Sequence, residues 1–403
     1  MRASVATVIV MGLLIPRTAA AQPAPWAPER LTPGWVFTPS GVFGMLHDSN
    51  VTLRAVNEPI TAQAVALVNP RGEIDFNGRR THFNIGYSGA LEAYRELSEL
   101  NRYEQHGRLE LRHQAMPHLQ LHSTASYSSV PTTDRLTLGP GVLPFIGIGS
   151  QHFDANGGFN LQASPRTKIE GGLNYQTIHF DREQPVGPDA FTRYLRDGHS
   201  ISPSLSAMYD VAKHVSVGAA WSYRHAVVSE GTQVVDVQSS TGELEWQAAE
   251  HTTVTVGLGA AHLKSDTELV SRWGPAYHVG VDHMEGRVEL AAKYERAFVP
   301  SIGFGGLSAD QRFSGSAKVP LAAGRWTIGG SVAYGQIQPV DLLGIDYTLN
   351  SLWTQGTVGY QVAPWLRTEG FYNRSHQTST ARGLVDRTRI GIEFVTSKPV
   401  RIQ

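Results

Sequence analysis

The sequence predicts an all-β chain, a single transmembrane antiparallel up-and-down β-barrel of about 18 strands preceded by a cleaved signal peptide. Three observations carry this prediction. Long segments alternate between apolar and polar residues, tight and loose connections alternate along the chain, and no stretch after the N-terminus is apolar for long enough to make a membrane helix. In TKIEGGLNYQTIHFD, residues 167 to 181, Lys168, Glu170, Asn174 and Gln176 share one parity and Ile169, Leu173 and Tyr175 the other. Successive strand side chains point to opposite faces, so one face of this strand suits lipid and the other a watery lumen.

Taken in order, Arg2 precedes the apolar run VATVIVMGLLI, and Ala19 and Ala21 supply the small residues of a cleavage site. Residues 1–21 read as a signal peptide. Residues 22–34 read as a Pro-rich periplasmic linker, far too short to plug a wide barrel, 35–396 as the barrel and 397–403 as a periplasmic tail. Strand segments begin with GVFGMLHDSNV, AVALVNPRGEIDF, THFNIGYSGALEAY, GRLELRHQA and LQLHSTASYSSV. Tight turns fall at 76–80, 115–119, 163–167, 211–215, 248–252, 284–288, 321–326 and 362–366, several with Asn-Gly, Pro or Gly. Looser segments fall near 48–60, 95–102, 131–150, 182–198, 229–233, 266–272, 299–306, 339–347 and 380–384. Short turns on one edge and longer loops on the other are the arrangement of bacterial outer-membrane barrels, with the turns periplasmic.

Composition excludes other classes. Lys plus Arg number 34 against 35 Asp plus Glu, so nothing favours nucleic acid as a partner. The absence of cysteine removes disulfides, thiol nucleophiles and thiolate metal sites.

The inner parity supplies the candidate pore lining. It comprises Arg108, Glu110 and Arg112 opposed by Leu109 and Leu111; Lys168, Glu170 and Asn174; and Glu243 and Glu245 opposed by Leu244 and Trp246. It continues with Arg287, Glu289 and Lys293 opposed by Val288, Leu290 and Tyr294, and Arg387, Arg389 and Glu393 opposed by Ile390, Ile392 and Phe394. An Arg or Lys facing lipid near midplane costs roughly 2–4 kcal/mol, so this assignment is strongly constrained. Tyr127, Trp221, Tyr223, Trp326, Tyr360 and Trp365 read as strand-end aromatics of interfacial belts.

The opening strand GVFGMLHDSNVTLR, followed by GRRTHFNIGYSGALEAYRELSELNRYEQHGRLELRHQ, resembles bacterial β-barrel porins of the type 2 class, among them outer-membrane barrels associated with exopolysaccharide operons. The resemblance covers most of the mature chain and implies a channel architecture. It carries no catalytic residue over. The terminal VTSKPVRIQ departs from the common pattern of ending on an aromatic residue, and Phe394 is the nearest substitute.

Motifs with chemical potential fall to ordinary readings. His179 and Asp181 share a parity, but no nucleophile accompanies them. HDSN, 47 to 50, lacks the acidic spacing of a calcium loop and fits an Asx-type turn; GIGS, 147 to 150, lacks the Lys of a phosphate loop. No catalytic, cofactor or metal residue is expected, and the chain is not read as an enzyme. The third loop, LTLGPGVLPFIGIGS, is too apolar to be freely solvated. Its Leu143, Phe145, Ile146 and Ile148 either fold into the barrel mouth as a constriction or pack on neighbouring loops. ALEAYRELSELNRYE, 90 to 104, is read as strand to about Tyr94, with a helical period that allows one turn in the second loop.

The expected function is a passive or weakly selective channel for small solutes or saccharides, linked through the resemblance to exopolysaccharide export. A scaffolding barrel of an export assembly is the alternative. The expected partners are outer-membrane lipid, the barrel-assembly machinery, and saccharide or periplasmic export components.

Overall fold

A computed structural model describes residues 34–132, 148–181, 195–228, 233–266, 270–300, 307–339, 348–380 and 383–402. The signal peptide and all but the last residue of the linker lie outside the described residues. So do Leu143, Phe145 and Ile146 of the expected constriction loop.

The strands are long enough to cross a bilayer at a tilt. They are β1 (Gly34–Asp48), β2 (Gln63–Asn77), β3 (Thr81–Tyr94), β4 (Arg102–Met116), β5 (Leu119–Val130) and β6 (Gly149–Ser164). The wall continues through β7 (Thr167–Asp181), β8 (Gly198–Ala212), β9 (Val215–Val228), β10 (Gln233–Ala249), β11 (Thr252–Ser265) and β12 (Val270–Glu285). It ends with β13 (Val288–Pro300), β14 (Leu307–Leu321), β15 (Trp326–Pro339), β16 (Leu349–Ala363), β17 (Leu366–Ser379), β18 (Gly383–Ser397) and the short β19 (Val400–Ile402). Each of β1 to β17 pairs antiparallel with the next strand, and β18 pairs with β1, closing the sheet. Closure removes every free sheet edge that hydrocarbon would leave without hydrogen bonds. The eight tight connections join β2 to β3, β4 to β5 and so on to β16 to β17, and the looser ones lie at the opposite end.

Two local features refine the sequence reading. Val400–Ile402, expected in a tail, pairs with Trp35–Phe37 in the register that Ser40 and Ser397 set, so β19 is β18 resumed beyond Pro399, which has no N–H to give a ladder. Four periplasmic turns, QAMPH, QASPR, QAAEH and QVAPW, share one construction. The backbone N–H groups of Gln114, Gln162, Gln247 and Gln361 donate to the carbonyls of Arg80, His118, His214 and Arg325 at 2.7, 2.8, 2.9 and 2.8 Å. Each glutamine sits at a bulge, and its side-chain amide donates to a carbonyl of its own turn. The second loop holds a single 3-10 turn, Ser98–Leu100, and β3 ends at Tyr94.

Candidate functional site: the lumen and its mouth

The two faces of the wall differ in kind. Phe43, Met45, Ile85, Leu173, Leu205, Leu258, Val279, Leu290, Ile328, Val358, Ile390 and Ile392 are exposed, all on the outward parity. Aromatic side chains bound this apolar zone. At the periplasmic end Trp35 stacks near Phe76 at 4.7 Å and Trp326 near Tyr360 at 4.6 Å; toward the loops Tyr87 meets Tyr103, hydroxyl to hydroxyl at 3.0 Å, and Tyr277 lies 5.8 Å from Tyr294. Trp221 corrects the expected belt. It sits mid-strand, opposite Leu205 and Ser240, because a large outward side chain is tolerated anywhere in the apolar zone. A closed sheet with a continuous apolar exterior between aromatic belts has one compatible environment. The molecule is an outer-membrane β-barrel.

Inside the barrel, the parity brings the candidate pore residues to one surface with two unlike arcs. The charged arc runs through β17, β18 and β1 to β4. Arg108 donates to Glu73 at 2.9 Å and to Asn84 at 3.1 Å, the Asn84 amide donates to Glu73 and Asp75 at 2.6 Å each, and Arg112 pairs with Glu110 at 2.6 Å. Glu393 lies within Coulombic reach of Arg71 and Glu369. Arg389 bonds Glu92 and approaches Asp48 at 3.4 Å. Arg387 is on the inner face but meets no open water. It is 2% exposed, and its Nε donates to both carboxylate oxygens of Asp48 at 3.0 Å across the β1–β18 closure.

The neutral arc, β5 to β9, carries mainly hydroxyls and amides, with charges such as Asp154, Lys168, Glu170 and Arg224 among them. His122, Asn156, Asn160, Ser204, Ser206 and Ser222 line one recess. Asn174 donates to Asp154 at 2.9 Å. Lys168, Glu170, Glu243, Glu245, His278 and Lys293 line a chamber of ≈ 800 Å³ between the inner faces of β7 to β13, with Glu243 and His278 3.1 Å apart. Glu289 pairs with Lys318 at 3.5 Å, while Arg287 lies exposed in the periplasmic turn before β13.

At the loop end the inner parity turns apolar, a change the sequence reading missed. Val65, Val130, Ile148, Ile178, Phe180, Leu195, Val228, Leu263, Leu349 and Val385 are all 3% exposed or less. Ile148 belongs to this collar. Among the described residues, the first two loops narrow the mouth. Val51 packs with Leu46, Val65 and Tyr94, beside Leu97, Leu100 and Phe371, and Leu53 packs on Val385. Ala55 bridges to Val385, and the Asn50 side chain donates to the carbonyls of Arg54 at 2.8 Å and Asp386 at 3.0 Å. Leu53 holds φ at 52°, a left-handed conformation costly for Leu and maintained here by its complete burial. HDSN does make a turn, with the Asn50 N–H donating to Asp48 Oδ1 at 3.1 Å, but Asp48 is first of all the partner of Arg387. The signal for the collar was available in FD and HF, the IHFD steps of β7, where inward Ile178 and Phe180 replace the polar residues of the same parity.

No protein-family model matches the chain, and no curated protein matches it. Among solved structures it is similar to OccAB4 of Acinetobacter baumannii, at 7% identity and a TM-score of 0.47 over 93% of this chain and 100% of that one. It is similar also to the copper transporter OprC, at 12% identity and a TM-score of 0.46 over 92% and 81%. OpdO of Pseudomonas aeruginosa gives 11% identity and a TM-score of 0.44 over 92% and 98%.

Proposed function

We propose that the barrel is a porin-like channel for small polar solutes, saccharides in particular, and that it serves exopolysaccharide export. The observation that carries this reading is the chamber of ≈ 800 Å³ inside the wall, into which Lys168, Glu170, Glu243, Glu245 and Lys293 project. A cavity of this size that charged side chains enter is hydrated, and hydrated volume on the inner parity is what conduction needs. Neutral sugars suit the hydroxyls and amides that predominate on β5 to β9, which exchange hydrogen bonds with a passing solute. The partners that go with this reading are outer-membrane lipid on the exterior, the barrel-assembly machinery, and saccharide or periplasmic export components at the turns. No enzymatic role is proposed. His179 is occupied by Asp197 at 2.6 Å, and its parity faces outward, away from the lumen.

The apolar collar favours a second reading, a non-conducting scaffold, because inaccessible side chains around the mouth narrow any path. Single-channel recording in a planar bilayer separates the two. Stepwise ohmic conductance is the expected result; a folded, inserted barrel that never conducts makes the scaffold the correct reading.

A further inference from the structure

One stretch of the wall departs from the cylinder. The ladder between β12 and β13 runs from Glu285 opposite Val288 to Tyr277 opposite Arg296 and stops there. Both strands continue. Val270–Ala276 of β12 stays paired with β11, and Ala297–Pro300 of β13 stays paired with β14 in unbroken register. Among the described residues, no other pair of neighbouring strands parts at one end with so long a stretch of both strands left over. Beyond Arg296, β13 passes to the inner side of β12. A Cβ built on Gly274, on the inward parity of β12, would lie 2.2 Å from the ring of Phe298. Phe298 itself is on the outward parity of its own strand, opposite Ala309. An outward side chain of β13 therefore rests on the inward face of β12.

Three further observations agree with this fold of the wall. Cα atoms of β13 come within 8 Å of β10 and β11, strands three and two places away. Arg224 of β9 lies within Coulombic reach of Glu295 on β13 and of Asp310 and Arg312 on β14. The surface beneath Phe298 is apolar: Ala226, Val235, Val237, Ala261, Leu263 and Ala276, each 6% exposed or less. Small residues there leave room for an overlying strand. Pro275, a residue that sheets confine to edges and bulges, lies on the stretch of β12 that β13 has left.

The seam starts at the Tyr277–Tyr294 pair of the outer aromatic belt, so it opens at the membrane interface, where water can satisfy the free backbone groups. Just beyond it Trp273 is 74% exposed, the largest value among the exposed large apolar residues. We propose that this seam is a lateral passage, latched by Phe298, through which a single-chain amphiphile enters the barrel from the outer leaflet. An interfacial opening bordered by Trp273, Pro275 and Phe298 matches an acyl chain, and the apolar patch on β9 to β12 is the surface that receives it once the latch lifts. The passage does not require the lumen to conduct, so its test is separate from that of the channel reading.

The experiment uses Gly274→Cys/Phe298→Cys in a chain with no other cysteine. The full barrel is reconstituted in liposomes, and 11-(dansylamino)undecanoic acid is the probe, followed by its fluorescence on binding. A two-carbon bis-methanethiosulfonate cross-linker, which spans the width of the ring that Phe298 leaves between the two positions, should join the two cysteines, seen as a reducible mobility shift. It should weaken saturable probe binding at least about tenfold relative to the reduced form and leave ion conductance as it was. Phe298→Ala, which removes the latch with the wall intact, should raise the rate of probe binding about threefold. Failure of the cysteines to join in the folded barrel overturns the geometry. Equal binding in cross-linked and reduced forms, an unchanged rate in Phe298→Ala, or no saturable binding to the parent overturns the passage.

Discussion

The charged arc of the lumen and the neutral arc obey the same alternation and are built from different chemistry. On β17, β18 and β1 to β4 the inward positions hold Glu369, Arg387, Arg389, Glu393, Asp48, Arg71, Glu73, Glu92 and Arg108; charge-assisted bonds tie Arg387 to Asp48, Arg389 to Glu92 and Arg108 to Glu73, and Arg71 lies within Coulombic reach of Glu369 and Glu393. On β5 to β9 they hold mostly uncharged groups, Thr124, Asn156, Asn174, Ser204, Ser206 and Ser222 among them, with Asp154, Lys168, Glu170 and Arg224 interspersed. Lipid constrains the outward face alone, so the inward face is free to differ from arc to arc. The position of the charged arc explains its content. It straddles the junction where the first and last strands meet, and bonds such as Arg387 to Asp48 fix which residues of β1 and β18 face each other. A one-residue slip there would reverse every side chain, and a buried pair that can form in only one register works against the slip.

The largest expected effect tests that contrast directly. Arg387→Leu leaves the buried Asp48 carboxylate without its main partner, with only Arg389 nearby at 3.4 Å, and should destabilise the barrel by about 3–5 kcal/mol. Asn174→Leu, which removes one bond to Asp154 on the neutral arc, should cost about 1 kcal/mol. The measurement is the temperature at which each variant loses the gel mobility of the folded barrel. Equal shifts would mean that the charged arc gives the closure no special hold.

Next in size is the contrast between the two faces of β7. Leu173→Arg sets a charge against lipid at about 2–4 kcal/mol, whereas Asn174→Arg sets it in water beside Asp154. Insertion into the outer membrane should fall sharply for the first and little for the second. Equal insertion of both would show that the parity assigned to β7 is reversed or irrelevant.

These residues also show how much was legible in the sequence. The exterior could be read because a charge facing lipid is so costly that parity is enforced on every strand, and Leu173 and Ile392 leave no alternative. The turns could be read because Gly, Pro and Asn-Gly have local conformational consequences. The candidate lining residues stand on the inward parity for the same local reason, apart from Arg287 in its turn. Partners could not be read. Asp48 and Arg387 are more than three hundred residues apart, and a period-two pattern says which face a residue takes, not what it meets there. The inward fold at Phe298 was hidden for a related reason. Its parity is the outward one, and only the tertiary path of β13 turns that face onto the inner side of β12.

A smaller effect concerns ions. Arg108→Glu/Arg112→Glu places two more carboxylates beside Glu73, Asp75 and Glu110, so the charged arc becomes strongly negative. Reversal potential in a salt gradient should move toward cation selectivity, with the fold retained because the inner face is wet. An unmoved reversal potential in a conducting variant would put the ion path along the neutral arc instead.

The smallest effect sharpens the neutral side of the comparison. Ser204 and Ser222 stand directly opposite each other on β8 and β9, and Ser206 lines the same recess. Replacing all three with Ala changes no charge and slightly widens the path, so potassium chloride conductance should stay as it was. A neutral disaccharide should behave differently. In transit it exchanges water for wall hydroxyls, and each bond withdrawn is a small net loss because water partly replaces it. Its permeation should fall about two- to threefold, read as the rate of liposome swelling in disaccharide against the rate in glycerol, which is small enough to cross fully hydrated. A parallel fall for both solutes would report a damaged pore. An unchanged disaccharide rate would mean that the hydroxyls of β8 and β9 merely fill the inner face, and that the chemistry of the channel resides in its charged arc.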